Sequence, residues 1–115
     1  AKVTGEEAGA YLGFTVAAAG DIDSDGYADV LTAAHMESSG GTRAGAAYLL
    51  SGASLSGTMS VTSATAKFIG EDTWDYAGNS LAGVGDVGGD GIDDIIISAY
   101  LESSAGTYLF CCGSN

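Results

Sequence analysis

An all-β fold of short antiparallel strands is what this sequence predicts, on three observations. Nineteen glycines stand without a single proline among 115 residues, in a chain rich in Ala, Ser and Thr, the composition of many strands joined by tight turns. Hydrophobic residues make up 46% and charged ones 16%, enough for a core at the length of about one domain. The third observation is internal. At an offset of 65 the chain matches itself: "AKVTGEE" (1–7) falls on "AKFIGED" (66–72), "YLGFTVAAAGDIDSDGYADVL" (11–31) on "YAGNSLAGVGDVGGDGIDDII" (76–96), and "MESS" on "LESS". After a four-residue deletion the offset becomes 61, and "GAAYLLSG" (45–52) meets "GTYLFCCG" (106–113). Two tandem copies of one unit are present, 1–65 and 66–115.

The elements follow from apolar runs bounded by Gly, Ser and Asp. In the first copy they are 14–19, 29–34 and 46–50, followed by 61–69; in the second, 80–84, 94–99 and 107–111. Four antiparallel strands per unit of about 60 residues fit a β-propeller blade, with Ala and Gly on inner strands that converge on an axis. The N-terminal "AKVTG" is equivalent to "AKFIG", the strand that finishes the first unit, whereas the second stops at Asn115 without one. The order therefore reads outer strand, three strands, outer strand, three strands. Propellers close with about 4 to 8 blades, so two blades imply either a longer parent or a homo-oligomeric ring. The expectation is about three copies, the N-terminal strand of one completing the last blade of the next by strand exchange.

Fifteen acidic residues against three basic ones give a formal net charge of −12, which opposes approach to nucleic acid or to anionic membrane surfaces. No apolar run nears the roughly 20 residues of a bilayer span, and the N-terminus lacks a signal-peptide layout; the chain reads as soluble, without membrane insertion. Cys111 and Cys112 are adjacent, a spacing that suits neither a zinc site nor a long-range disulfide. They read as small residues facing opposite sides of a strand.

Eight of the fifteen carboxylates crowd into two short loops. Counting from Asp21 as position 1, the first offers Asp21, Asp23, Asp25 and Asp29 at 1, 3, 5 and 9, Gly26 at 6 for a sharp turn, and the backbone carbonyl of Tyr27 at 7. Such oxygens suit a hard cation such as Ca²⁺, which takes 6 to 8 of them. An EF-hand opens similarly but needs a Glu at position 12 and flanking helices; here position 12 is Thr32, or Ile97 in the second copy, and strand-like runs follow. The second loop keeps Asp86, Asp90 and Asp94 at 1, 5 and 9, Gly91 at 6 and the Ile92 carbonyl at 7, but has Gly88 at position 3. Two calcium sites are expected, the first the tighter, with Asp93 facing away from its own site.

These residues resemble the FG-GAP repeats of integrin α-subunit β-propellers and their bacterial relatives. The resemblance covers nearly the whole chain and is most specific at the aspartate loop, which in that family binds Ca²⁺ between adjacent strands of a blade. Leu12-Gly13 and Ala77-Gly78 stand where Phe-Gly would, and Ala33-Ala34-His35 and Ser98-Ala99-Tyr100 where Gly-Ala-Pro would. The resemblance implies an extracellular or cell-surface module for adhesion or for recognition of carbohydrate or protein. Trp74, Tyr76 and Tyr11 are the candidate ligand-binding aromatics, against the simpler reading that they pack between blades. No nucleophile with its base is visible; His35, the sole histidine, is expected at the surface or between blades, so the chain reads as non-enzymatic. The alternative is the propeller part of a secreted hydrolase whose catalytic residues lie elsewhere.

Overall fold

Side-chain alternation along β3 (Asp29–Ala34) and β4 (Ala46–Leu50) decides the architecture, because both faces of these strands are covered. In the computed structural model, residues 2–112 are described except 7, 23, 39–40, 71–75, 87, 90, 92 and 100–107, with backbone alone at 79, 98–99 and 108–112. Leu31, Ala33, Ala47 and Leu49 point to one side of the sheet, Ala34, Ala46 and Tyr48 to the other, the period of two that a pleated strand imposes. With β2 (Leu12–Gly20) and β6 (Ala66–Ile69) they form a four-stranded antiparallel sheet in the order β2-β3-β4-β6. Ala66–Ile69, where the second sequence copy begins, is thus the fourth strand of the first sheet.

The second sheet repeats the arrangement as β7 (Ala77–Gly85), β8 (Asp94–Ala99) and β9 (Tyr108–Cys112), in the order β7-β8-β9. Ile95 and Ile97 of β8 are buried against Leu31, Ala33, Ala47 and Leu49, and Leu81 packs beside them, so the main core lies between the two sheets. A second cluster, Ala10, Ala34, Ala46, Tyr48 and Val61, covers the other face of the first sheet. The sheets approach closely at Gly83, where an added Cβ would strike the carbonyl oxygen of Ala18; a side chain there would hold the sheets apart.

The fold is all-β: no α-helix occurs among the described residues, only single 3-10 turns at Gly52–Ser54 and Val61–Ser63. Strands 29–34, 46–50 and 94–99 lie where the sequence puts them. The expected strand 61–69 is shorter, because the Ser60 hydroxyl accepts the Thr62 N–H at 3.2 Å and turns the chain before β6 starts at Ala66. β2 and β7 extend past 14–19 and 80–84 through bulges that fall at equivalent positions in both copies, Leu12/Thr15 with Ala77/Ser80, and Ala18/Gly20 with Gly83/Gly85. The N-terminal strand β1 (Lys2–Thr4) pairs in parallel with β5 (Thr58–Ser60), a strand the sequence reading did not foresee.

Candidate functional site

The first aspartate loop joins β2 to β3, and its own carboxylates shape it. Asp21 accepts the N–H of Asp25 on Oδ1 at 3.0 Å and the N–H of Gly26 on Oδ2 at 2.9 Å. Gly26 has φ 89°, a conformation in which a side chain is strained, so the glycine at position 6 serves the turn the sequence assigned it. Asp25 accepts the N–H of Tyr27 at 2.9 Å and the hydroxyl of Ser51 at 3.3 Å. Asp29, 1% exposed, accepts the N–H of Ile22 on Oδ2 at 2.8 Å and that of Gly52 on Oδ1 at 2.9 Å, tying the loop to the turn after β4. The Tyr27 side chain is exposed.

The second loop, between β7 and β8, is built alike. Asp86 accepts the N–H of Gly89 at 2.8 Å and that of Gly91 at 2.7 Å, and Gly91 has φ 85°. The buried Asp94 accepts the N–H of Gly88 at 3.0 Å. In both copies, then, the position-1 carboxylate holds the position-6 glycine, and the position-9 carboxylate is a buried acceptor at the start of a central strand. Asp93 extends to the other loop, where it accepts the N–H of Asp21 at 3.3 Å. The repeat held a signal of this contact, since Ala28 occupies the equivalent place in the first copy.

Among the described residues no three His, Cys, Asp or Glu side chains are gathered closely enough to hold a metal ion; Asp23, Asp90 and Ile92 lie outside the described residues. The donor set is nonetheless of one kind, carboxylate and carbonyl oxygen, which fits a hard divalent cation. Asp21 and Asp29 in the first loop and Asp86 and Asp94 in the second sit at equivalent places on the two sheets; the counterparts of Asp25, Tyr27 and Gly88 lie outside the described residues.

The aromatic candidates converge on His35, which is 6% exposed. Its ring centroid lies 4.0 Å from Phe14, 5.7 Å from Tyr76 and 5.9 Å from Tyr11, so both tyrosines pack at the junction of the two sheets. Tyr11 remains 59% exposed. Both tyrosines have positive φ, 63° and 55°, a conformation costly for a bulky residue and repeated at equivalent positions. Burial pushes the His35 imidazole below its ordinary pKa, and its Nδ1 has no partner among the described residues. Trp74 lies outside the described residues, as do Tyr100 and the side chains of Cys111 and Cys112.

A polar cluster escaped the sequence reading. Lys67 Nζ contacts Glu6 Oε1 at 2.8 Å and Glu37 Oε2 at 3.0 Å, and the Tyr48 hydroxyl donates to Glu6 Oε1 at 2.8 Å. The Lys67 and Tyr48 hydrogen bonds hold the Glu6 carboxyl below its ordinary pKa. One of the three basic residues is thereby committed to this cluster.

The FG-GAP repeat family profile matches residues 12–50, which span β2, the first aspartate loop, β3 and β4. Integrin alpha-4 of Xenopus laevis is 35% identical over 100 residues, 84% of this chain. Integrin alpha pat-2 of Caenorhabditis briggsae is 33% identical over 108 residues, and that of Caenorhabditis elegans 35% over 112, each covering 93% of the chain. The chain spans about 9% of the length of each of these relatives.

Proposed function

With residues 12–50 an FG-GAP repeat and most of the chain integrin-α-like, we propose that it is a two-blade piece of β-propeller whose aspartate loops bind calcium and whose role is adhesion or ligand recognition rather than catalysis. The observation that carries the calcium reading is the recurrence of the same loop, with the same backbone fastening by Asp21 and Asp86, at the same crossover of both sheets. Eight aspartates in two loops repel one another, and a bound cation relieves that repulsion. Asp21, Asp23, Asp25, Asp29 and the Tyr27 carbonyl would hold the first ion; Asp86, Asp90, Asp94 and the Ile92 carbonyl would hold the second, with water in place of a side chain at Gly88. What calcium supplies is charge neutralisation and crosslinking of the crossover. Extracellular calcium, near millimolar, fills even weak sites of this type, which suits an extracellular or cell-surface location. Of the aromatic candidates, Tyr11, 59% exposed directly before β2, is the surface a carbohydrate or protein would meet.

Thermal unfolding with and without calcium tests the reading. A ligand at a hundred times its dissociation constant stabilises the native state by about 2.7 kcal/mol, worth roughly 10 °C at this size. The wild type should gain a shift of that order in calcium and lose it in chelator, and Asp25→Ala should abolish most of it. A melting temperature indifferent to calcium would sink the proposal. Binding to a glycan or matrix-protein array tests the recognition role.

A further inference from the structure

The contact between Asp93 and Asp21 crosses from one sheet to the other and joins residues 72 apart in the chain. Asp93, half-buried, lies in the second loop directly before β8, yet its side chain reaches the end of β2 in the first sheet. There its carboxylate takes the space that a side chain at Gly20 would need, since an added Cβ would strike Asp93 Oδ2. Gly20 has φ 75° and its counterpart Gly85 has φ 76°, so one backbone conformation recurs in both loops. Of these two glycines only Gly20 has a carboxylate against it among the described residues; the space around Gly85 is open.

The charge of Asp93 is what needs a cause. The first loop already carries Asp21, Asp23, Asp25 and Asp29, and Asp93 brings a fifth carboxylate to it. Among the described residues no lysine or arginine pairs with Asp93. Its hydrogen bond from the Asp21 N–H is long, at 3.3 Å, and a neutral Asn would accept it without adding to the repulsion.

We infer that Asp93 is the second sheet's contribution to the cation site of the first loop: its charge counts towards that loop's calcium affinity, and a cation held there clasps the second sheet to the first. The inference rests on the calcium reading given above. Asp93 touches the backbone of Asp21, whose own carboxylate fastens the N–H groups of Asp25 and Gly26. It therefore stands beside the ligand set and acts on it from outside. A positive ion in the loop turns the fifth carboxylate from a source of repulsion into one of attraction, and does so across the seam between the sheets. Removing the charge has opposite consequences with and without calcium.

Calorimetric calcium titration of the whole chain, together with thermal unfolding in calcium and in chelator, tests this. Asp93→Asn keeps the shape of the side chain and an acceptor for the Asp21 N–H. It should raise the calcium dissociation constant of the first loop about 10-fold, the lower end of what losing an outer partner of a metal ligand costs. The variant should melt lower than the wild type in calcium and no lower in chelator. In an Asp25→Ala background, where the first loop is disabled, Asp93→Asn should leave the remaining calcium binding unchanged. Circular dichroism establishes folding. If Asp93→Asn does not fold, Gly20→Ala and Gly85→Ala decide instead: both put a side chain on the same backbone conformation, and only the first, which displaces the carboxylate, should weaken the first loop. An unchanged first-loop affinity in folded Asp93→Asn overturns the inference, as does an equal fall in melting temperature with and without calcium. So does weakened binding in the Asp25→Ala background, which would assign Asp93 to its own loop, or an equal effect of the two glycine variants. A wild type that takes up no calcium overturns the calcium reading itself, and the inference with it.

Discussion

A buried carboxylate with two backbone donors is costly to remove, and Asp29 is such a group before any ion is considered. Replacing it by Ala leaves the N–H groups of Ile22 and Gly52 without their acceptor, each at a cost of about 1–3 kcal/mol. Asp29→Ala is therefore expected to lose about 2–6 kcal/mol in urea unfolding carried out in chelator, where Asp25→Ala should change less. Equal behaviour of the two variants in chelator would contradict the structural role of Asp29. His35 acts through its burial. The unfolded imidazole titrates near 6.5, and burial lowers the folded value, so the unfolded state takes up the proton first and stability is lost as pH falls through the unfolded value towards the folded one. The melting temperature should decline between about pH 7 and 5.5, and His35→Phe should flatten that decline; an unchanged slope in the variant would assign it to carboxylates instead. The aspartates were legible in the sequence because crowded like charge demands a cause. Ser51 and Gly52, which complete the first loop's fastening, were not: they lie over twenty residues away and are of ordinary turn type.

Among elements, the central strands were the most legible, because 29–34, 46–50 and 94–99 are largely apolar on both faces and each begins at an Asp or directly after a Gly. Their neighbours were read short, since bulges interrupt the alternation before the pairing ends. The run 61–69 was read long, since a serine turn inside it leaves no mark on hydrophobicity. β5 carries only Thr58–Ser60 and was invisible, its pairing depending on a partner 55 or more residues away. The two aspartate loops differ as elements by one residue, and that difference can be reversed. Among the described residues a Cβ at Gly88 would meet only the Asp94 carboxylate, at 3.7 Å, an ordinary contact. Gly88→Asp should therefore raise the calcium affinity of the second loop, seen as an increased calcium-dependent gain in melting temperature, while stability in chelator stays level or falls from added repulsion. No gain in calcium would mean that position 3 is not a ligand position.

At the scale of the molecule, stability depends on two sheets lying backbone to backbone. Gly83→Ala places a methyl against the Ala18 carbonyl and should cost about 1–3 kcal/mol through separation of the sheets, read in urea unfolding; an unaffected variant would show that the approach is easily relaxed. The parallel pairing of residues 2–4 with 58–60 bears on the order in which the chain assembles. Sequential hairpins close short loops, whereas this pair must bring together segments separated by three of the first sheet's four strands, and the entropy of closure rises with that separation. Residues 2–4 are thus late to pair with residues 58–60, whatever else is already in place. Until residue 60 has been synthesised that partner does not exist, and the edge of β1 that it covers stays open.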